Sequence, residues 1–327
     1  MADSNGQSRN ELFTSDGLHV IEQGYKIWTQ AVNGYLKSEN LLSSKTGQVL
    51  VQVLGSGGPE LTDGRASSSY LVWVNHKARL LVDFGSGAAL NYEKSGALPD
   101  DLDAVLFSHF HVDHTNDFSA LVKGLWFTNY DKKLQVFGPS KNQEFPGIKE
   151  FITALFNHDS GAYAYLGDNA DPEQSSQFKI VPIEIANSSS NISSYAIGDD
   201  VMVKAVSVLH GTVPALAWRL EIKGYAITFS GDTSNENRAL DLLAQGSDLL
   251  IAHNAAREND PSTVARYLHM MPSEIGRIAA AAKVRRLVLS HRMNRTLGHE
   301  VETTAAIRKN YQGVLYLIVT DRADDSD

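Results

Sequence analysis

The 327-residue chain is 43% hydrophobic and 20% charged, apolar enough to build a sizeable core, which excludes a largely disordered protein. Its 29 basic and 38 acidic residues give a net charge of −9, so a global nucleic-acid footprint is absent, and zero cysteines exclude disulfide scaffolds, thiol nucleophiles and Cys-ligated zinc. No apolar run approaches the ~18–20 residues that span a membrane, and MADSNGQSRNELF lacks the basic-then-apolar pattern of a signal peptide, which leaves cytoplasm and periplasm both open.

Residues 1–45 are mixed and polar, with Leu12, Val20, Ile21, Ile27 and Trp28 scattered through them, and read as a partly helical N-terminal extension. From Gln48 the character changes. VLVQVLGSGGP reads as a strand entering a glycine-rich turn, SSYLVWV and ARLLVDFGSG as two strands joined by Asn75–His76, and DAVLFSH (103–109) as an apolar strand. Further strands are predicted at 134–139, 178–185, 201–210, 215–222, 225–232, 248–253, 286–291 and 314–319. Helices are predicted at 237–245, 272–283 and 300–309, the second with Pro272 in its first turn. Residues 46–320 read as one main domain with an irregular insert at about 140–200, where 168–177 and 188–194 are polar loops; 321–327 read as a polar tail.

Several predicted strands end in a metal-competent residue: His109-Phe-His111-Val-Asp113-His114, then His210, Asp232 and His291. Strand ends combine a rigid base with access to solvent. His109 and His111 are two apart, so an extended segment projects both from one face toward one ion. Asp113 and His114 follow a turn and can face a neighbouring ion. Imidazole and carboxylate suit zinc or a similar first-row metal, and seven candidate ligands favour two ions over one. Two ions roughly 3.5–4 Å apart would share a hydroxide nucleophile.

HFHVDH (109–114) matches the H-x-H-x-D-H signature of the metallo-β-lactamase superfamily, and His210, Asp232 and His291 follow in that family's order. GSGGP (55–59), GRASSSYLV (64–72), LLVDFGSG (80–87), HGTVPALAWRLE (210–221), FSGDT (229–233) and LVLSH (287–291) extend the resemblance, which is greatest to the ribonuclease Z-like and arylsulfatase-like branch. The resemblance implies an α/β (α+β) fold, a four-layer αββα sandwich, with two divalent ions, zinc first and manganese or iron as alternatives. It implies His109, His111 and His210 on one ion, Asp113, His114 and His291 on the other, and Asp232 between them. Asp113 could also orient the attacking hydroxide. His269, in LHMMPSEIG, is similar to the family's general acid. His253 stands near the family's His-Glu pair, but the local string HNAA lacks the acidic partner. The family also admits a homodimer.

Arg65 and His253 are candidate site-lining residues, with a salt bridge and a core position as their alternative readings. His19, His76, His158 and His299 are assigned surface or structural roles. GSGGP lacks the lysine of a P-loop and reads as a tight turn near the site. The aromatic runs at 125–133 and 156–167 are expected to pack the insert on the core. The leading expectation is a hydrolase of small phosphodiester or sulfate esters. A transfer-RNA 3′-processing endonuclease is the alternative, set lower because residues 140–200 carry few basic residues (Lys141, Lys149, Lys179), so nucleic acid and membrane are not expected partners. A lactonase and a non-catalytic binding protein are further alternatives.

Overall fold

Residues 49–187 and 191–318 are described by the structure, a computed structural model. The extension at 1–45 and the tail at 321–327 lie outside them. Two sheets hold the strands. The first has the order β1 (Val49–Gly55), β2 (Ser69–Val74), β3 (Lys77–Phe84), β4 (Ala104–Leu106), β5 (Lys133–Pro139), β6 (Lys179–Ile185). The second contains β7 (Ser193–Ile197), β8 (Val201–His210), β9 (Val213–Ile222), β10 (Tyr225–Phe229), β11 (Leu249–His253), β12 (Arg286–Ser290) and β13 (Val314–Leu317), ordered from β13 to β7.

Each sheet is half antiparallel and half parallel. Two of the hairpins turn on a pair of residues in the left-handed conformation: Asn75–His76 between β2 and β3, and Lys223–Gly224 between β9 and β10. From β3 to β6 and from β10 to β13 the strands run parallel, and helices make the crossovers.

Strand alternation divides the core into three layers. Tyr70, Val72, Leu80 and Val82 of the first sheet meet Val203, Leu216, Trp218, Phe229 and Ile251 of the second, forming the layer between the sheets. Leu71 and Leu81 point the other way, onto the helices Ala88–Lys94, Phe118–Leu125 and Ile148–Phe156. Leu250, Leu287 and Leu289 likewise cover the helices Ala239–Leu243, Pro272–Ala281 and Glu300–Arg308. The result is the helix–sheet–sheet–helix sandwich that the resemblance implies. Among the described residues no helix is long and apolar enough to cross a membrane.

The stretch 140–187 carries the helix Ile148–Phe156, a single turn at Gly167–Ala170, and β6. The polar string at 191–197 includes edge strand β7, with only Ile197 buried.

Candidate metal centre

His109 and His111 follow β4 in extended backbone and share a side, so His109 Nε2 lies 2.9 Å from His111 Nδ1. His210, the last residue of β8, brings its Nε2 to 3.3 Å from the same atom. The short helix Val112–Thr115 then turns Asp113 and His114 toward β12. His291, one residue beyond β12, places Nε2 3.1 Å from Asp113 Oδ2 and 3.2 Å from His114 Nε2. Asp232 stands between the two groups: its Oδ2 is 3.4 Å from His291 Nε2, 3.6 Å from His114 Nε2 and 3.8 Å from His210 Nε2.

The outward nitrogens explain why the inward ones are lone pairs. His114 Nδ1 donates to Asp83 Oδ2 at 2.8 Å, and His210 Nδ1 donates to the Leu268 carbonyl at 2.9 Å. His109 Nδ1 lies 3.1 Å from Ser108 Oγ, which donates to Asp83 Oδ2 at 2.8 Å. Each Nε2 is then an acceptor facing other acceptors, an arrangement that repels itself unless a cation sits among them. Donors about 3.0–3.4 Å apart have the spacing kept by ligands about 2.1 Å from one ion. The all-nitrogen-and-oxygen set suits zinc and equally manganese, iron or cobalt.

Charge in the site follows the same division. Burial, with His114 and His210 nearby, holds His109 well below the usual imidazole range. Burial also lowers His111 and His210. At His114 burial acts the same way, but Asp113, Asp83 and Asp232 outweigh it and raise the ring well above its ordinary value. Burial would raise Asp232, yet His291 and His114 hold it well below the carboxylate range. Cations are therefore welcome around Asp232, whether protons or metal ions, and the two compete.

Two backbone features set this geometry. Asp83 and His291 both take left-handed φ, 54° and 50°, an uncommon conformation for such residues that the surroundings must enforce. Gly85 has no room for a side chain: a Cβ there would lie 2.0 Å from the Asp113 carbonyl oxygen. Gly58, in the GSGGP turn, faces His291 Cε1 at 3.3 Å and Met293 Cγ at 3.0 Å from where its Cβ would be, so that turn does approach the site.

Residues 79–292 match the family model described as Beta-lactamase superfamily domain. The chain belongs to that superfamily. It is a metallo-β-lactamase-fold hydrolase, and its curated relatives include ribonuclease Z of Mycobacterium sp. (strain KMS), 30% identical over 255 residues, 74% of this chain and 83% of that protein. Ribonuclease Z of Thermobifida fusca (strain YX) is 25% identical over 265 residues, 73% of this chain and 82% of that one. The metallo-β-lactamase-fold protein YhfI of Bacillus subtilis superposes with a TM-score of 0.64 at 20% identity, covering 83% of this chain and 97% of the other. The short form of human tRNase Z gives 0.63 at 20% identity, covering 76% and 94%. These last two show the shared fold.

The seven residues carried over from the superfamily signature thus meet in two sets that share Asp232. The remaining candidates divide. His269 ends the helix Thr263–Leu268 and lines the cleft, its Nδ1 3.8 Å from Asp232 Oδ2. Burial pushes His269 down to about 3 despite the pull of Asp232. His253 lies beneath the site, not in its wall: it is buried, and its Nδ1 donates to Asp232 Oδ1 at 2.7 Å. Asn254, next to His253, is an amide that turns its Nδ2 to the Ala256 carbonyl, so the acidic partner expected from the resemblance does not stand at this position. Arg65 is also no part of the wall. It is ion-paired to Asp63 at 2.6 Å and donates to the Ser56 and Arg292 carbonyls, tying the GSGGP turn to the segment after His291.

Sequence reasoning missed Asp83 and Arg295. Asp83 had a signal, a carboxylate closing the strand LLVDF just as the ligands close theirs. Arg295 sits on a loop and has no such mark; it appears only as a cleft-lining residue near His269.

Proposed function

We propose that this chain is a metal-dependent phosphodiesterase that cleaves RNA, the kind of substrate that its relatives' name, ribonuclease Z, states. The observation that carries the phosphodiesterase reading is the pair of donor sets sharing Asp232 Oδ2, on the floor of a cleft of about 190 Å3. His109, His111 and His210 would hold one ion, Asp113, His114 and His291 the other, with Asp232 common to both. Two divalent ions there would offset charge on the phosphoryl oxygens and bring the pKa of a water toward neutrality.

This chain's own residues do the rest. Arg295 lines the cleft and has no ion-pair partner among the described residues, so it offers its charge to an incoming phosphate. Asp113 fixes the orientation of the attacking water. His269 protonates the departing oxygen; the substrate's negative charge, entering beside it, opposes the burial that otherwise strips its proton.

The argument from net charge against nucleic acid gains no support from the ribonuclease Z relatives. One observation does favour a second reading, a small phosphodiester. The three basic residues of the middle segment are already engaged: Lys141 with Glu150, Lys149 with Glu184, and Lys179 with the carbonyls of Asp168, Asp171 and Gln174. Each therefore has an acidic or carbonyl partner with which an RNA backbone would compete.

The deciding experiment presents zinc- and manganese-loaded protein with a 3′-extended transfer RNA, bis-p-nitrophenyl phosphate and p-nitrophenyl sulfate, using Asp232→Ala as the blank. RNA cleavage that the blank lacks supports the proposal. Turnover of the diester alone makes the small-phosphodiester reading correct, and preference for the sulfate overturns both.

A further inference from the structure

The layer between the two sheets is largely apolar, and Tyr70 brings a hydroxyl into it. Tyr70 on β2 is fully buried, against Phe229 with ring centroids 5.4 Å apart and in the same layer as Val72 and Val82. Burying a phenol in such surroundings costs free energy unless its hydroxyl is bonded. The hydroxyl is bonded across to the opposite sheet: it donates to Ser290 Oγ at 2.8 Å, and its oxygen lies 3.0 Å from His253 Nε2. His253 and Ser290 are paired neighbours at the ends of β11 and β12. One phenol therefore crosses the sandwich directly below the metal centre.

Its effect on His253 is chemical as well as steric. Asp232 Oδ1 is a carboxylate oxygen and can only accept, so His253 Nδ1 carries the proton across their 2.7 Å contact. The Tyr70 hydroxyl donates to Ser290 Oγ, and its oxygen stands 3.0 Å from His253 Nε2, so the phenol anchors the far end of the ring. The chain of contacts fixes the position of the His253 ring, holds Asp232 by Oδ1 and leaves Oδ2 between the two donor sets. We propose that Tyr70 is a positioning residue for the metal centre: acting through His253, it locks the carboxylate that both ions share. This rests on the two-ion reading of the site.

The shared carboxylate gives the proposal its own signature. Partners of metal ligands contribute about 10–100-fold in affinity. Tyr70→Phe, which keeps the packing, is expected to weaken both ions together by about tenfold in zinc competition with a chromogenic chelator, and to change the visible absorption of the cobalt-loaded protein. His253→Ala should cost at least as much. The Tyr70→Phe/His253→Ala double variant should be no weaker than His253→Ala alone, because the phenol acts only through the ring.

Wild-type zinc affinity in Tyr70→Phe overturns the proposal, as do losses that add in the double variant. A lower thermal midpoint of the metal-free Tyr70→Phe protein with unchanged zinc affinity would assign Tyr70 to packing alone and also overturns it. Wild-type protein that takes up no divalent ion in the same titration would remove the two-ion reading itself.

Discussion

Asp83 does for the outer nitrogens what Asp232 does for the inner ones. Its Oδ2 receives His114 Nδ1–H and the Ser108 hydroxyl, and its Oδ1 receives the Ser108 amide at 2.7 Å. Through Ser108 it also reaches His109. Asp83→Asn replaces one acceptor with an NH2 that faces donors, so zinc affinity should fall about 10–100-fold, measured by chelator competition; an unchanged affinity would assign His114's orientation to packing. His269→Ala should keep both ions and lose rate chiefly on substrates with poor leaving groups. Equal losses on p-nitrophenyl and alkyl diesters would remove His269 from the acid role. The seven candidate ligands were legible as a set because metals accept few side-chain types and most of these stand at or just past strand ends. Arg295 and Tyr70 were not, since each acts through a partner or a cleft that only the assembled sheets create; Asp83 carried the strand-end mark but not the partners that give it a role.

Among the elements, the helices Ala239–Leu243 and Pro272–Ala281 are tied by charge. Arg277 bonds Asp241 at 2.8 Å and Glu274 at 2.6 Å. The Arg277 hydrogen bond holds Glu274 below its ordinary value; at Asp241 burial pulls upward and is outweighed by Arg277 and Asn235. A carboxyl depressed in the folded state stabilises it fully above the unfolded value, about 4, and that contribution fades as pH falls further. Acid titration of the wild type should show this loss, and Arg277→Met should flatten the corresponding part of the curve; an identical slope would show that these carboxyls titrate alike in both states. A glycine argues at the same scale. Gly85→Ala would press a Cβ into the Asp113 backbone and the Ser67 side chain, and should cost at least about 1–3 kcal/mol in denaturant melts together with metal affinity. Strands of near-continuous apolar character were legible, as were the late helices at 239–243, 272–281 and 300–308. The edge strand β7 reads as a loop because it buries only Ile197, and the helices Phe118–Leu125 and Ile148–Phe156 are marked only by apolar spacing among aromatics that equally suggest simple packing.

At the scale of the molecule, the motif order carried the sandwich before any strand pairing was known, because only paired sheets bring the ends of β4, β8, β10, β11 and β12 to one rim. Charge is where averaging hides the site. A net charge of −9 describes the whole surface, whereas an RNA substrate would meet the cleft, which Arg295 lines and whose floor would hold two divalent cations. Such a protein neutralises few phosphates. An enzyme with six to ten phosphate contacts loses about 10³–10⁵ in affinity between 50 and 200 mM salt. Here the loss of kcat/KM on a 3′-extended transfer RNA over that range should stay below about tenfold, since the steep part of that dependence comes from released counterions and this surface releases few. A steep fall would show that the protein neutralises more phosphates than the cleft accounts for.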